Sequence, residues 1–309
     1  MGLGFARRNW ERTFDGWAQA PSQTEQEKCD RAVTAIKRAI DASPLLNNRS
    51  VTPFAQGSFA NRTNVRQDSD VDVCVFSSET FFFDLPPGLT LQSIGGKPAA
   101  YSFDRYKTEV QVALVAHFGT RHVTRGNKAF DIHENTYRID ADAAPCFEYR
   151  LYYYDLSNQL QFVKGTALFA DDSGSRRITN FPEQQYASGV AKNNATNRRF
   201  KAMVRIIKKL RNEMADLQIP AAEPIASFLI ESLVWNWPTE SFAASNSWTA
   251  LVKAFLSYIW HATEPGNEAL TQNWRETNEI KIVFRPEVPW TREQVNAFAL
   301  AAYTYVDRQ

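Results

Sequence analysis

The sequence predicts an α+β protein in which a mixed β-sheet flanked by helices is followed by a C-terminal helical lobe. Short apolar and β-branched runs, which are typical of strands, occur between residues 51 and 168. From residue 196 onward, apolar residues instead recur every three or four positions, which is typical of buried helix faces. We therefore expect a core at 1–185 and a helical lobe at 186–309, with a central active-site cleft, since binding sites are common where two lobes meet.

Composition indicates a globular cytoplasmic protein. Hydrophobic residues make up 44% and charged residues 22% of the 309 residues, and the formal net charge is +1. So small a charge provides no general attraction to nucleic acid or to an anionic membrane. The three cysteines are far apart in the chain, which predicts neither a zinc module nor a disulfide framework. No apolar run approaches the length of a membrane span.

The sheet-containing core has its own helices and turns. Periodicity predicts two N-terminal helices, over 7–20 and 22–43, and a third over 103–118. Residues 81–88, three phenylalanines followed by a Pro-Pro-Gly turn, are expected to form a loop with aromatic anchors. Gly126-Asn127 suits a hairpin between two short strands. Residues 171–199 are polar and rich in turn residues.

The chemistry is concentrated between residues 57 and 76. Gly57 permits close backbone approach to a ligand, and Ser58 offers a hydroxyl suited to a helix N-cap, where free N–H groups can hold phosphate. Asp70 and Asp72 then open a β-branched run, and alternate residues of a strand share a face. Two carboxylates placed side by side are unfavourable unless a cation lies between them. Mg²⁺, bound by carboxylates and substrate phosphates, is the expected cation.

Two other interpretations of this acidic stretch are weaker. A solvated turn accounts for Asp68 but not for Asp72, which lies inside the strand pattern. A calcium loop beginning at Asp68 requires glycine at its sixth position, where Val73 stands. The combination of Gly-Ser with Asp-x-Asp on a strand is more specific than either half.

This combination resembles the polymerase-β-like nucleotidyltransferases. The longer string GSFANRTNVRQDSDVDVCVF is similar to the bacterial cGAS/DncV-like nucleotidyltransferases, in particular CdnE-like ones, which are the cyclic-oligonucleotide synthases of anti-phage CBASS systems. They are related to oligoadenylate synthetases. The resemblance covers roughly residues 10 to 305. It implies a polymerase-β-like core with a long N-terminal spine helix, followed by a helical lobe.

The resemblance implies a third metal-binding carboxylate from a neighbouring strand. Asp131, Asp140 and Asp142 all lie between hydrophobic neighbours. The string Asp-Ala-Ala-Pro-Cys-Phe that begins at Asp142 is similar to the family pattern at this position, so Asp142 is the predicted residue. Asp140 has the same strand parity and is the second choice.

Phosphate contacts are expected from two further helices. The helix over 196–215 carries a basic stripe of Lys201, Arg205 and Lys208. Any one of these is ordinarily a solvated surface cation, but the segment VRIIKKL resembles the family helix whose lysine contacts the triphosphate, and Lys208 matches it. Ser227, near the start of the next predicted helix, matches a family serine with the same role; from sequence alone it is an N-terminal-turn residue.

Asn180 precedes Phe181-Pro182 in a segment that resembles one lying near the bases in the family. Its amide offers both a donor and an acceptor, which suits the imide edge of uracil. The same residue is also suited to an Asx turn before proline. Both interpretations stay open.

The resemblance implies a template-independent reaction. Asp70 and Asp72 bind two Mg²⁺, for which Mn²⁺ can substitute, and Asp142 holds the metal nearest the attacking ribose hydroxyl. ATP and a second NTP such as UTP or GTP are joined and cyclised to a di- or trinucleotide messenger for a separate effector protein. The same metal motif also serves a transferase that adds one nucleotide to a small molecule, a protein or an RNA end. A non-catalytic nucleic-acid sensor is disfavoured, because such a domain needs no clustered carboxylates.

Overall fold

The computed structural model describes residues 8–65, 71–133, 140–172 and 176–308. The strands are β1 Val51–Ala55, β2 Val71–Asp84, β3 Val123–Arg125, β4 Phe130–Ile132, β5 Ala141–Tyr154, β6 Leu160–Phe169 and β7 Arg177–Asn180. The α-helices are α1 Trp10–Ala18, α2 Gln23–Asp41, α3 Gly57–Ala60, α4 Phe103–Phe118, α5 Pro182–Ala195, α6 Arg199–Asp216, α7 Ser227–Asn236, α8 Trp248–Ala262, α9 Glu268–Thr271 and α10 Arg292–Arg308.

The chain divides into two compact units. The sheet unit contains the described residues within 22–61 and 71–183, and the helical unit contains 8–21, 62–65 and 184–308. Each has its own hydrophobic core. In the helical unit, Trp10 and Phe14 of α1 are buried in the same core as Met203 of α6.

The strands form one mixed sheet in the order β1-β2-β5-β4-β3, with β6 beside β5 and β7 beside β6. Strands β2 and β5 run parallel, whereas the other described pairs are antiparallel. A parallel pair needs a crossover, and α4 lies in this one. Tyr106 of α4 stacks on Phe147 of β5 with ring centroids 5.1 Å apart, and its hydroxyl donates to the Val75 carbonyl at 2.7 Å. The predicted α+β class is confirmed.

Helix boundaries follow local capping. Ser22 and Glu25 form a capping box at the start of α2, and the Ser102 hydroxyl accepts from the backbone of Arg105 at the start of α4. The helix predicted over 103–118 is observed with those bounds. The polar stretch 171–199 contains β7 and α5, which its composition conceals.

The loop predicted at 81–88 is wrong in its first half, because β2 continues to Asp84. A β-bulge between Ser77 and Phe81 interrupts the pairing with β5, which then resumes with Phe81 opposite Glu148. Three polar residues at 78–80 break the strand pattern in the sequence. The Arg150 guanidinium lies 3.9 Å from the centre of the Phe81 ring and helps to hold the resumed strand.

No helix in the described part of the chain combines the length and the apolar character needed to cross a membrane.

A buried cation anchors α4 to the end of β6. Lys107 is 2% exposed, and its ammonium donates to Asp171 at 2.6 Å and to the Asn127 carbonyl at 3.2 Å. Arg125 donates to the same carboxylate at 2.8 and 3.0 Å. These hydrogen bonds, that of Arg125 first, lower the pKa of Asp171 to about 2.

Replacing Asp171 with asparagine is expected to lower the free energy of unfolding at pH 7 by about 2 kcal/mol, because it leaves the Lys107 charge buried without its anion. The carboxyl is more acidic folded than unfolded, so its contribution is complete above about pH 4 and is lost as the pH falls toward 2. Urea unfolding at several pH values measures this. Asp172→Asn, an exposed neighbour, is the control. An equal loss in both variants would contradict the role of the pair.

Candidate active site

Two of the predicted carboxylates lie side by side on the central parallel strands. Asp72 of β2 and Asp142 of β5 are register partners. Partners in a ladder share a face of the sheet, and neighbouring strands lie about 4.8 Å apart. Their flanking residues Val71, Val73, Ala141 and Ala143 are buried, whereas both aspartates are partly exposed. The sheet therefore presents two adjacent carboxylates on one face.

Gly57 lies against the Asp72 carboxylate. A Cβ atom at position 57 would stand 2.2 Å from Asp72 Oδ2, and the glycine has a φ of +66°. Any side chain there would collide with the carboxylate and strain the backbone. The Gln56 N–H donates to the Asp72 carbonyl at 2.8 Å, which fixes this approach. Ser58 follows in the four-residue helix α3 and is partly buried.

Two more acidic residues lie near this pair. Asp131 of β4 is the register partner of Asp142 on the side away from Asp72. Asp140, the second choice for the third carboxylate, has a buried Oδ1 that forms no hydrogen bond within the described residues. Asp70 lies outside the described residues. Among the residues that are described, no group of three His, Cys, Asp or Glu side chains is gathered for a metal ion.

The donor atoms of this face suit a hard cation. Carboxylate oxygens are the protein ligands that Mg²⁺ prefers, and it commonly takes only one or two of them, with substrate phosphates completing the shell. Asp72 and Asp142 meet that requirement. The residues present therefore fit a magnesium site.

Lys208, the predicted triphosphate contact, is buried in the helical unit. It is 2% exposed, and its ammonium donates to the Thr63 carbonyl and hydroxyl, both at 3.2 Å. The Glu231 carboxylate lies 4.0 Å away and accepts from the Thr63 hydroxyl at 3.0 Å and from Gln185 at 2.8 Å. Arg205, one turn earlier on α6, donates to the Arg62 carbonyl at 2.8 Å. The basic stripe thus holds residues 62–63, shortly before the stretch that contains Asp70.

Sequence reasoning missed this buried network of the helical unit. Glu231 is the one charged residue of α7, and it is 3% exposed. Buried acids generally have a partner, so its presence among leucines and isoleucines was the available signal. Ser227 begins α7, and its hydroxyl accepts from Arg211 at 2.8 Å.

Asn180 is the last residue of β7 and is exposed. Its register partner is Thr166 of β6, so the two side chains share a face. The Asn180 carbonyl approaches Gly165 so closely that a Cβ at 165 would stand 2.5 Å from it. The chain is therefore closely packed where β7 leads into α5.

Comparison with known proteins identifies the class. Residues 187–307 match the family model described as the cGAS/DncV-like nucleotidyltransferase C-terminal helical domain. A solved structure of Elizabethkingia meningoseptica CdnE cyclic dinucleotide synthase with GTP and Apcpp superposes with a TM-score of 0.78 at 31% identity, covering 98% of this chain and 99% of that one. Both comparisons define a nucleotidyltransferase.

Two curated relatives narrow the family. The cyclic dipyrimidine nucleotide synthase CdnE of Legionella pneumophila is 39% identical over 97% of this chain and 99% of its own length. The protein of the same name from Cecembia lonarensis is 35% identical over 96% of this chain and 98% of its own length. The chain belongs to the CdnE family of cyclic nucleotide synthases, within the cGAS/DncV-like nucleotidyltransferases. The predicted family and enzyme class are confirmed.

Proposed function

We propose that this protein joins and cyclises two NTPs, at least one of them a pyrimidine nucleotide, without a template and with release of pyrophosphate. In the first step a ribose hydroxyl of one NTP attacks the α-phosphorus of the other, and in the second step a ribose hydroxyl of the linear dinucleotide attacks the α-phosphorus of the 5′-triphosphate that it keeps. In each step the new phosphodiester bond forms, the bond to pyrophosphate breaks, and the hydroxyl proton passes to solvent. The cyclic product acts as a messenger for a separate effector protein in anti-phage defence within the cytoplasm.

The observation that carries this proposal is the register pairing of Asp72 with Asp142, with Gly57 against the Asp72 carboxylate. Asp70, Asp72 and Asp142 hold two Mg²⁺ in the proposed site. Bound Mg²⁺ supplies charge stabilisation at the attacking and leaving oxygens. Because Gly57 has no side chain, the Asp72 carboxylate can occupy the position beside it. Phosphate contacts come from Gly57, Ser58, Lys208 and Ser227.

A pyrimidine substrate is supported by two observations of different kinds. The two relatives described above are named cyclic dipyrimidine nucleotide synthases. In this chain, the exposed Asn180 presents an amide on the same face as Thr166. An amide donates and accepts at once, which matches the imide edge of uracil. ATP and GTP are the alternative partners for the second position.

The proposal is tested by incubating the protein with all four labelled NTPs and Mg²⁺ or Mn²⁺, followed by phosphatase treatment and chromatography. We expect a phosphatase-resistant product that disappears when a pyrimidine NTP is left out. Asp72→Asn should lower its formation at least about a hundredfold, since it removes one of two paired metal ligands.

Two results would count against the proposal. A phosphatase-sensitive linear product would point to single-nucleotide transfer, which is the alternative that shares this metal motif. Unchanged activity in Asp72→Asn would separate the reaction from the paired carboxylates. Circular dichroism of the variant provides the folding control.

A further inference from the structure

A cavity of about 230 Å³ lies within the sheet unit, between β1, β2, β6 and the start of α5. Phe54 and Phe76 contribute aromatic walls, and their ring centroids are 6.0 Å apart at an interplanar angle of 57°. Thr166 also lines it. Lys164 and Glu183, joined by an ion pair of 3.1 Å, lie at its polar side. The cavity therefore combines apolar walls with a few polar groups, as small-molecule sites do.

The cavity opens on the same face of the sheet as the paired carboxylates. Phe76 is four residues after Asp72 on β2, so the two side chains share a face, and their Cα atoms are about 13 Å apart along the strand. Thr166 is the register partner of Glu148, which has the same parity on β5 as Asp142. One face of one sheet thus carries the carboxylates at one end and the cavity further along.

The Thr166 hydroxyl is a buried polar group on the wall of this cavity. The residue is 3% exposed, and its Oγ1 forms no hydrogen bond within the described residues. A buried hydroxyl in this state is costly unless something binds it. Asn180, its register partner on β7, places an amide beside it. The hydroxyl and the amide together offer three donor hydrogens and two acceptor oxygens on one face.

We infer that this cavity holds the base of a pyrimidine nucleotide and that Thr166 is a specificity-determining residue, its hydroxyl bonding the base edge. The inference rests on the proposed function. It adds the Thr166 hydroxyl to the Asn180 amide as a second polar group that contacts the base. Phe54 and Phe76, whose rings pack against each other, shield one side of the base from water. The Thr166 hydroxyl has no hydrogen-bond partner among the described residues and gains one when the base enters. The new bond offsets the cost of the buried hydroxyl and so adds to the affinity for the base.

Thr166→Val removes the hydroxyl and keeps the shape of the side chain. We expect the KM for UTP to rise about tenfold while the KM for ATP and the kcat stay unchanged, because one hydrogen bond to the base is lost. Thr166→Ser keeps the hydroxyl and should retain the UTP preference. The melting temperature of Thr166→Val without nucleotide should be equal to or above that of the unchanged protein, since a buried unpaired group has been removed.

Calorimetric titration with a non-hydrolysable UTP analogue separates this inference from the proposed function. Suppose that the unchanged protein forms no cyclic product, but that Thr166→Val binds the analogue more weakly than the unchanged protein does. The proposed function then fails, and the base site stands. The inference would be overturned if Thr166→Val had the same KM for UTP and the same KM for ATP as the unchanged protein. A lower melting temperature in Thr166→Val with equal analogue binding would also overturn it, because the hydroxyl would then have a structural partner.

Discussion

Replacing Asp142 with asparagine is expected to lower the rate of cyclic product formation at least about a thousandfold, because the amide lacks the charge that a metal ligand supplies. The folded protein should remain at least as stable, since Asp142 is directly opposite Asp72 and like charges in register repel. Product formation per unit of folded protein, measured by chromatography, and the melting temperature report the two effects separately.

Asp131→Asn is the matched control for this substitution. Asp131 is also in register with Asp142, but it lies on β4, two strand spacings or about 10 Å from Asp72. We expect it to retain at least a tenth of the activity. A loss as large as that of Asp142→Asn would place Asp131 among the metal ligands. Full activity in Asp142→Asn together with loss in Asp140→Asn would transfer the role to Asp140, whose buried Oδ1 has no hydrogen-bond partner in the described part of the chain.

Gly57→Ala is expected to lower the activity about a hundredfold, because the added methyl group would stand 2.2 Å from Asp72 Oδ2 and displace the carboxylate. Displacements of about 1 Å at a reacting centre have effects of this size. The backbone cost of a non-glycine residue at positive φ is only about 1–2 kcal/mol, which a stable domain survives. Rates measured at saturating NTP report the displacement, and chemical unfolding reports the backbone cost.

Gly95→Ala provides a matched control for the backbone effect. Gly95 has a φ of +68°, nearly that of Gly57, but nothing lies within 4 Å of the position its Cβ would occupy. The two variants should lose similar stability, and only Gly57→Ala should lose activity. Equal activities would show that the close approach to Asp72 is dispensable.

The carboxylate pair was accessible to sequence reasoning because strand periodicity is local. Alternation alone places Asp72 on the face opposite Val71 and Val73, and the structure has it there. The register that pairs Asp72 with Asp142 could not be predicted from local periodicity, because it depends on a parallel pairing between strands about 70 residues apart. Family resemblance selected Asp142, whereas strand pattern left three candidates.

Burial of Lys208 could not be predicted for a similar reason. Helical periodicity places Lys208 beside a buried stripe, and a lysine in that position is ordinarily solvated. Its partners are Thr63 and Glu231, which are distant in sequence and come together only in the folded helical unit. The continuation of β2 beyond Ser77 was also hidden, because a bulge breaks the alternation that identifies a strand.

That bulge has a consequence for how the enzyme can change. Strand β2 has three more residues than β5 between the partners Ser77–Phe147 and Phe81–Glu148. Adding or removing a residue at the bulge should not change the pairing of Asp72 with Asp142, because the β2–β5 pairing before the bulge and the pairing after it have separate registers. The ladder past the bulge, from Phe81 onward, therefore has a register of its own. A change in strand length at Ser78–Thr80 should therefore leave the paired carboxylates in place.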